Sequence, residues 1–444
     1  MRRAGVLEPR ILARPSRSVA GTIAVPGDKS ISHRAVLLGA IAAGVTRVRG
    51  FLRGEDCLAT MAAMRALGVR IDDAGDALQI HGVGSTGLRA AAQPLDLGNS
   101  GTALRLLAGL LAGQAFASEL TGDASLRKRP MERIAEPLRA MGARIDTTDG
   151  RAPLRIAGGR RLTGIDYTLP VASAQIKSAI LLAGLAADGL TTVRSPVRSR
   201  DHTERMLLAM GAALEQPEDG VVSLPGPAAL SGVTIDVPAD FSSAAFFIVA
   251  GVLGAKSGLL IPGVGVNPTR TGLLTVLRAM GAHIELRNPS QQGAEPVADI
   301  YVEQSRLRGC EIGGDVIPLS IDELPILFVA AACAEGRTVV TDAAELRHKE
   351  SDRIAVMAAG LREVGISVEE RPDGLAIDGG RIRGGTIESH GDHRVAMAFA
   401  IASLAADAPI EIHSTAEVAT SFPDFVRTAT NSGLLLDELD GVAA

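Results

Sequence analysis

A chain of 444 residues, 46% hydrophobic and 21% charged, is long enough for two or three domains with substantial cores and too apolar to stay disordered. Its 45 Lys and Arg stand against 50 Asp and Glu, so there is no global basic field to hold DNA or RNA, and with no Trp, 2 Tyr and 9 Phe few aromatic faces exist for bases to stack on. Cys57, Cys310 and Cys333 are odd in number and far apart, which suggests neither a disulfide framework nor a zinc motif and suits a reducing cytoplasm.

The start, with Arg2 and Arg3, has no apolar run before Glu8 and Arg10, so no export signal is expected. The apolar run from Phe241 stops at Lys256, short of a membrane span. The expectation is a soluble protein that stays in the cytoplasm, with no membrane and no nucleic acid among its partners.

The first informative stretch is Val25-Pro26-Gly27-Asp28-Lys29-Ser30-Ile31-Ser32-His33-Arg34, followed by an apolar run to Ala43. A Pro-Gly break, then cationic and hydroxyl donors, then a helix-forming run, places those donors where a helix dipole already favours anions. From there one pattern keeps returning: an amphipathic helix that ends in Gly and leads into an apolar strand. It occurs at Gly68, Gly142, Gly211, Gly281 and Gly365, and more loosely at Gly433. The spacing, roughly 70 to 80 residues, exceeds a solenoid repeat and is enough for a whole α+β unit.

Each unit also carries an Ala- and Leu-rich helix with little charge: 35–43, 102–112, 178–187, 243–253, 324–334 and 395–405. Helices apolar on nearly every side are buried. Their starts are polar: Lys29-Ser30, Asn99-Ser100-Gly101, Ser173-Ala174-Gln175, Asp240-Phe241-Ser242, Asp322-Glu323 and Asp392-His393-Arg394. If parallel helices within each half begin on one face, that face is lined with donors and charges, and two such faces would make a polar cleft. The pattern breaks near Val237-Pro238, which divides the chain into 28–238 and a second domain of 1–27 with 239–444. The strand around Thr22-Val25 would then belong to the second domain, making the hinge a double crossover.

Singly, these motifs have ordinary readings. Lys349-Glu350-Ser351-Asp352-Arg353 could be a solvated helix face, Asp322 and Ser173 could be helix caps, and Gly101 a tight turn. His390-Gly391-Asp392-His393 lacks a further ligand cluster, so no metal is expected. Gly82-Val83-Gly84-Ser85-Thr86-Gly87 spells a dinucleotide fingerprint but runs into Gln93-Pro94, and a loop between strands is the better reading.

Taken in order, the set resembles the EPSP synthase family, the 3-phosphoshikimate 1-carboxyvinyltransferases of the shikimate pathway. The motifs are Lys29-Ser30 through Arg34, Gly98-Asn99-Ser100-Gly101-Thr102, Lys128-Arg129-Pro130-Met131, Ser173-Ala174-Gln175, Lys349 to Arg353 and Asp392-His393-Arg394, and they span about Gly21 to Arg427. The resemblance implies an α/β (α+β) fold: a two-lobed inside-out α/β barrel of six βαβαββ units in two pseudo-threefold domains. It implies phosphoenolpyruvate and shikimate 3-phosphate as substrates, acid–base chemistry with no cofactor and no metal, and a monomer.

By the same resemblance Lys29, Gly101, Arg129, Gln175, Arg353 and Arg394 hold phosphoenolpyruvate. Lys29, Ser30, Arg34, Ser173, Ala174, Gln175, Arg200, Asp322 and Lys349 hold shikimate 3-phosphate. Asp322 matches the base at the shikimate 5-hydroxyl and Glu350 the acid at the phosphoenolpyruvate methylene, with Lys29 a second candidate for proton traffic. The cations suit two phosphates and two carboxylates, and their scatter over several repeats implies a site completed by lobe closure.

Two departures stand out. Many members carry a Lys before the Thr-Phe-Pro-Asp segment, where this chain has Thr420-Ser421-Phe422-Pro423-Asp424. Ser173 to Lys177, Arg200 to Glu204 and Asn267 to Arg270 resemble the class II subgroup, often tolerant of glyphosate, yet Gly101 lacks the methyl that some tolerant members carry there. On Gly101 the expectation is inhibition competitive with phosphoenolpyruvate. The rivals are a transferase acting on UDP-N-acetylglucosamine, which would place a Cys or Asp acid in a mobile loop, and a ring-forming clamp, which would need a basic inner surface.

Overall fold

Asp28 accepts a hydrogen bond from the backbone N–H of Ile31 at 2.8 Å and so closes the first turn of helix α1, Lys29–Ile41. The same device recurs through the chain, each side chain replacing a partner that the first helical N–H groups lack. Ser100 caps α2 (Gly101–Ala112), Ser173 caps α3 (Ala174–Gly184), Asp240 caps α4 (Phe241–Gly254) and Asp392 caps α6 (His393–Ala402). Helix α5, Leu324–Ala332, is the exception: its N-cap is Glu323, with no side-chain cap, and a Pro stands in its first turn. Asp322 is therefore not a cap. In this computed structural model, which describes residues 9–439, the opening residues read above for an export signal lie outside the described part.

Apolar runs and helices coincide with a systematic offset. α1 and α3 start six and four residues before the apolar runs at 35 and 178, because their first turns are polar and carry the cap and the donors. Every residue of α5 is buried, and in α4 only Leu253 is not fully so. A helix without a polar face can only be enclosed, since each large apolar side chain removed from water contributes about 1.5–3 kcal/mol.

The chain packs as two units. Among the described residues, one comprises 9–26, 239–290 and 296–439; the other comprises 27–238 and 291–295. The sequence division at 28–238 did not single out 291–295. Each unit has its own core, one around α1, α2 and α3 and the other around α4, α5 and α6.

Among the described residues, each unit holds three sheets of one plan. A short leading strand runs parallel to a second strand, which pairs antiparallel with a third, and a fourth lies outside in all but the sheet of α3. In the sheet served by α2 these are Leu95–Asp96, Ser118–Thr121, Arg151–Ile156 and Ile145–Thr148. The parallel pair needs a crossover, and the buried helix supplies it. Two leading strands are exchanged. Gly21–Thr22, just before α1, runs beside Leu259–Gly265 in the first unit, whereas Thr234–Asp236, just before α4, runs beside Ala43–Arg49 in the second. The last sheet borrows as well: Arg10–Arg14 lies between Ile410–His413 and Leu435–Leu439.

The six repeated glycines end the outer helices with φ between 90° and 113°, a left-handed cap that an L side chain adopts only under strain. Gly82 and Val83 close the strand Ala77–Val83 and a turn at Ser85-Thr86 follows, so the fingerprint-like spelling there opens no helix. Among the described residues, no helix is long and apolar enough to cross a membrane.

Candidate active site

In the second unit the polar helix starts gather cations. Lys29, the first residue of α1, pairs with Asp56 of the helix Glu55–Ala66, and both are largely buried. Arg34, one turn further on, is enclosed: Nη1 donates to the Ser30 carbonyl at 2.9 Å, Nη2 to Ser178 Oγ at 2.8 Å and Nε to Thr203 Oγ1 at 2.7 Å. Burial lowers its pKa to about 10, while the charges of Glu204 and Asp28 resist the fall and that of Arg200 adds to it. Arg34 thus joins α1 and α3 to the helix His202–Ala209, with Arg200 in the loop before that helix.

Beside it, Ser173 caps α3 through Ile176 N at 3.4 Å, and Ala174 is the first helical residue. Gln175 Oε1 accepts from Arg105 Nη1 at 2.7 Å, and its Nε2 donates to Thr102 Oγ1 at 3.0 Å. Arg129 Nη2 donates to Asn99 Oδ1, and Asn99 Nδ2 in turn donates to Asp123 Oδ2 at 2.8 Å. Asp123 Oδ1 also accepts from Leu126 N at 2.7 Å, at the start of the short turn Leu126–Lys128 that delivers Arg129. Gly101 opens α2 between the two guanidinium groups: a Cβ there would sit 2.8 Å from Arg105 Nη1 and 3.0 Å from Arg129 Nη1.

In the first unit Asp322 is the focus. Its Oδ1 lies 3.5 Å from Lys349 Nζ and 3.5 Å from Arg353 Nη1, and its carbonyl accepts from Arg394 Nη1 at 3.0 Å. Arg353 is 1% exposed. Its Nε donates to Asp392 Oδ2 at 2.8 Å and its Nη2 to Glu350 Oε2 at 2.6 Å. Burial alone would depress its pKa, but Asp392, Glu350 and Asp322 outweigh that and hold it above the ordinary arginine value. Behind Asp322, the buried Glu323 accepts from Ser242 Oγ, which in turn accepts from Arg270 Nη2 at 2.7 Å.

Each unit therefore assembles its own share of the sequence candidates: Lys29, Ser30, Arg34, Gly101, Arg129, Ser173, Ala174, Gln175 and Arg200 in one, Asp322, Lys349, Glu350, Arg353 and Arg394 in the other. Asp56 and Arg105 went unmarked in the sequence, and Arg270 and Glu323, though they stand in motifs quoted above, were given no site role. For Arg105 a signal existed, a lone Arg inside the apolar run Leu104-Arg105-Leu106-Leu107, since a charge kept in a buried helix needs a partner. At the position of the absent Lys, Thr420 is buried and its hydroxyl donates to the Glu417 carbonyl at 2.6 Å.

The family model described as EPSP synthase (3-phosphoshikimate 1-carboxyvinyltransferase) matches residues 13–429. The chain belongs to the EPSP synthase family. A 3-phosphoshikimate 1-carboxyvinyltransferase of Methylococcus capsulatus is 58% identical over 424 residues, covering 95% of this chain and 97% of the relative. That of Acidithiobacillus ferrooxidans is 58% identical over 430 residues, covering 96% and 99%. Among solved structures, an EPSP synthase from Acinetobacter baumannii superposes with a TM-score of 0.86 at 51% identity, covering 97% of this chain and all of that one. The enolpyruvyl transferase NikO from Streptomyces tendae, at 20% identity and a TM-score of 0.79 over 98% and 99%, shares the fold. The α/β architecture is thus that of the EPSP synthase family.

Proposed function

We propose that this member of the EPSP synthase family transfers the enolpyruvyl group of phosphoenolpyruvate to the 5-hydroxyl of shikimate 3-phosphate, releasing phosphate. The observation that carries the reading is the setting of Asp322, a carboxylate held 3.5 Å from two cations with a third on its own carbonyl. The cations that hold this carboxylate in place also suit anionic substrates, so a base and an anion site stand together.

Asp322 takes the proton of the 5-hydroxyl as that oxygen bonds to C2 of phosphoenolpyruvate, while C3 gains a proton from Glu350, with Lys29 as the alternative donor. The tetrahedral adduct then loses a proton from the new methyl group, the C2–C3 double bond re-forms and phosphate leaves with the C2–O bond electrons. Acid–base groups suffice for both steps. Lys29, Gly101, Arg129, Gln175, Arg353 and Arg394 are assigned to phosphoenolpyruvate; Lys29, Ser30, Arg34, Ser173, Ala174, Gln175, Arg200, Asp322 and Lys349 to shikimate 3-phosphate. Arg34 and Arg353, each enclosed by protein partners, act more through the groups they hold than by open faces. The enzyme works as a cytoplasmic monomer, for which sedimentation at the mass of one chain is the check.

The deciding experiment is release of inorganic phosphate from the two substrates together, with each omitted in turn. Release only when both are present is the expected result. Release with UDP-N-acetylglucosamine in place of shikimate 3-phosphate would move the assignment to the rival transferase.

A further inference from the structure

Lys177 and Glu204 form a buried ion pair: Lys177 Nζ lies 2.5 Å from Glu204 Oε1, and the side chains are 7% and 2% exposed. Lys177 also donates to the Ser199 carbonyl at 3.3 Å. Its backbone N–H closes the first turn of α3 on the Ser173 carbonyl at 3.1 Å. A single side chain therefore ties the start of α3, with Ser173, Ala174 and Gln175, to the loop residue immediately before Arg200. Glu204 belongs to the helix His202–Ala209, whose Thr203 takes the Nε hydrogen bond of Arg34.

For stability alone such a pair is a poor choice. Each buried charge forfeits several kcal/mol of hydration, and two apolar side chains of similar volume usually hold a core as well or better. Past Ser178, which Arg34 holds, the rest of α3 is apolar, and among the described residues Glu204 Oε2 has no hydrogen-bond partner. What the ions add is direction: a charge on a fixed stem gives the Ser199 carbonyl one place to sit.

We infer that Lys177 and Glu204 are positioning residues that set Arg200 against the first turns of α1 and α3, so that the loop meets the phosphate of shikimate 3-phosphate already formed. The inference rests on the assignment of Arg200, Ser173 and Gln175 to that substrate. Fixing a cation in advance spares the ordering cost at binding, and a displacement of about 1 Å is enough to lose most of the benefit.

Binding of shikimate 3-phosphate to the enzyme alone, measured by calorimetry, tests it. The deciding variant is Lys177→Met/Glu204→Gln, which removes both charges and leaves neither stranded. It should melt near the parent temperature, bind shikimate 3-phosphate about tenfold more weakly and keep its KM for phosphoenolpyruvate within about twofold, a split that loss of packing alone would not give. Arg200→Gln is the reference. If it weakens binding while the folded double variant binds like the parent, the inference fails and the site assignment stands. Should Arg200→Gln bind like the parent, the assignment falls and takes the inference with it. A double variant unable to fold would make the pair structural and overturn the inference too.

Discussion

Arg353 donates from Nε to Asp392 Oδ2 over 2.8 Å, and neither side chain is more than 1% exposed. Asp392 also accepts from Ser351 Oγ at 3.0 Å and from Arg394 N at 3.0 Å, so one carboxylate fixes a buried guanidinium and the first turn of α6 together. Removing it should cost far more than a surface ion pair would. Asp392→Ala is expected to destabilise by about 3–5 kcal/mol, because it removes at once one carboxylate of a buried ion-pair cluster and the cap of α6. Asp392→Asn, which keeps an acceptor for Arg394 N, should cost clearly less. Urea titration of the two variants gives the comparison, and equal losses would mean that the lost charge, not the lost acceptor, carries the effect.

Asp322→Ala should lower kcat by about 10²–10⁴ with a smaller change in either KM, because general-base help is realised only in the transition state. The Arg394 contact is to the Asp322 backbone carbonyl, so it survives the change. Steady-state kinetics with both substrates near saturation is the check. A kcat within twofold of the parent would end the assignment of Asp322 as base.

Much of this arrangement could be read from the sequence because it rests on local rules. A cap lies beside the helix it caps and a glycine ends the helix it follows, so Asp28, Ser100, Ser173, Asp240 and Asp392 stand next to their apolar runs, and the terminal glycines show themselves by repetition. Partners far apart in the chain leave no such trace. Arg105 and Gln175 are 70 residues apart, and nothing near either predicts the bond between them. Which cations face solvent is also a tertiary matter: Arg34 and Arg353 look like any other motif arginine, yet both are enclosed. A strand around Thr22-Val25 was expected in the other domain because it stands before the first unit, and the strand observed there is Gly21–Thr22, beside Leu259–Gly265. The return of Thr234–Asp236 to the sheet of α1 was not legible, since a three-residue strand carries too little pattern.

Gly101→Ala tests the crowding at the start of α2. The added Cβ meets only the ends of two flexible side chains, Arg105 Nη1 at 2.8 Å and Arg129 Nη1 at 3.0 Å, so the fold should tolerate it. The guanidinium groups must yield by a few tenths of an ångström, and Arg105 cannot do so freely while it holds Gln175. The KM for phosphoenolpyruvate should rise about tenfold, as expected when oriented binding groups are displaced, with shikimate 3-phosphate binding to the enzyme alone little changed. An equal loss for both substrates would argue against placing phosphoenolpyruvate at Gly101.

His33 provides a pH test that is independent of catalysis. Its Nδ1 lies 2.7 Å from Thr60 Oγ1, its Nε2 has no hydrogen-bond partner, and burial, with Lys29 and Arg34 adding to it, pushes its pKa well below the ordinary value. The folded state therefore keeps the ring neutral, whereas the unfolded chain binds a proton near pH 6.5. Where only the unfolded state is protonated, stability falls as pH falls. The contribution is complete above about pH 6.5 and declines below it, down to the lower folded pKa. Between pH 7.5 and 5.5 the parent should lose about 1.4 kcal/mol more than His33→Asn, whose amide can keep the Thr60 bond but does not titrate. Urea titrations of both proteins at the two pH values measure the difference, and parallel losses would show that His33 takes up its proton in the folded state as readily as in the unfolded one.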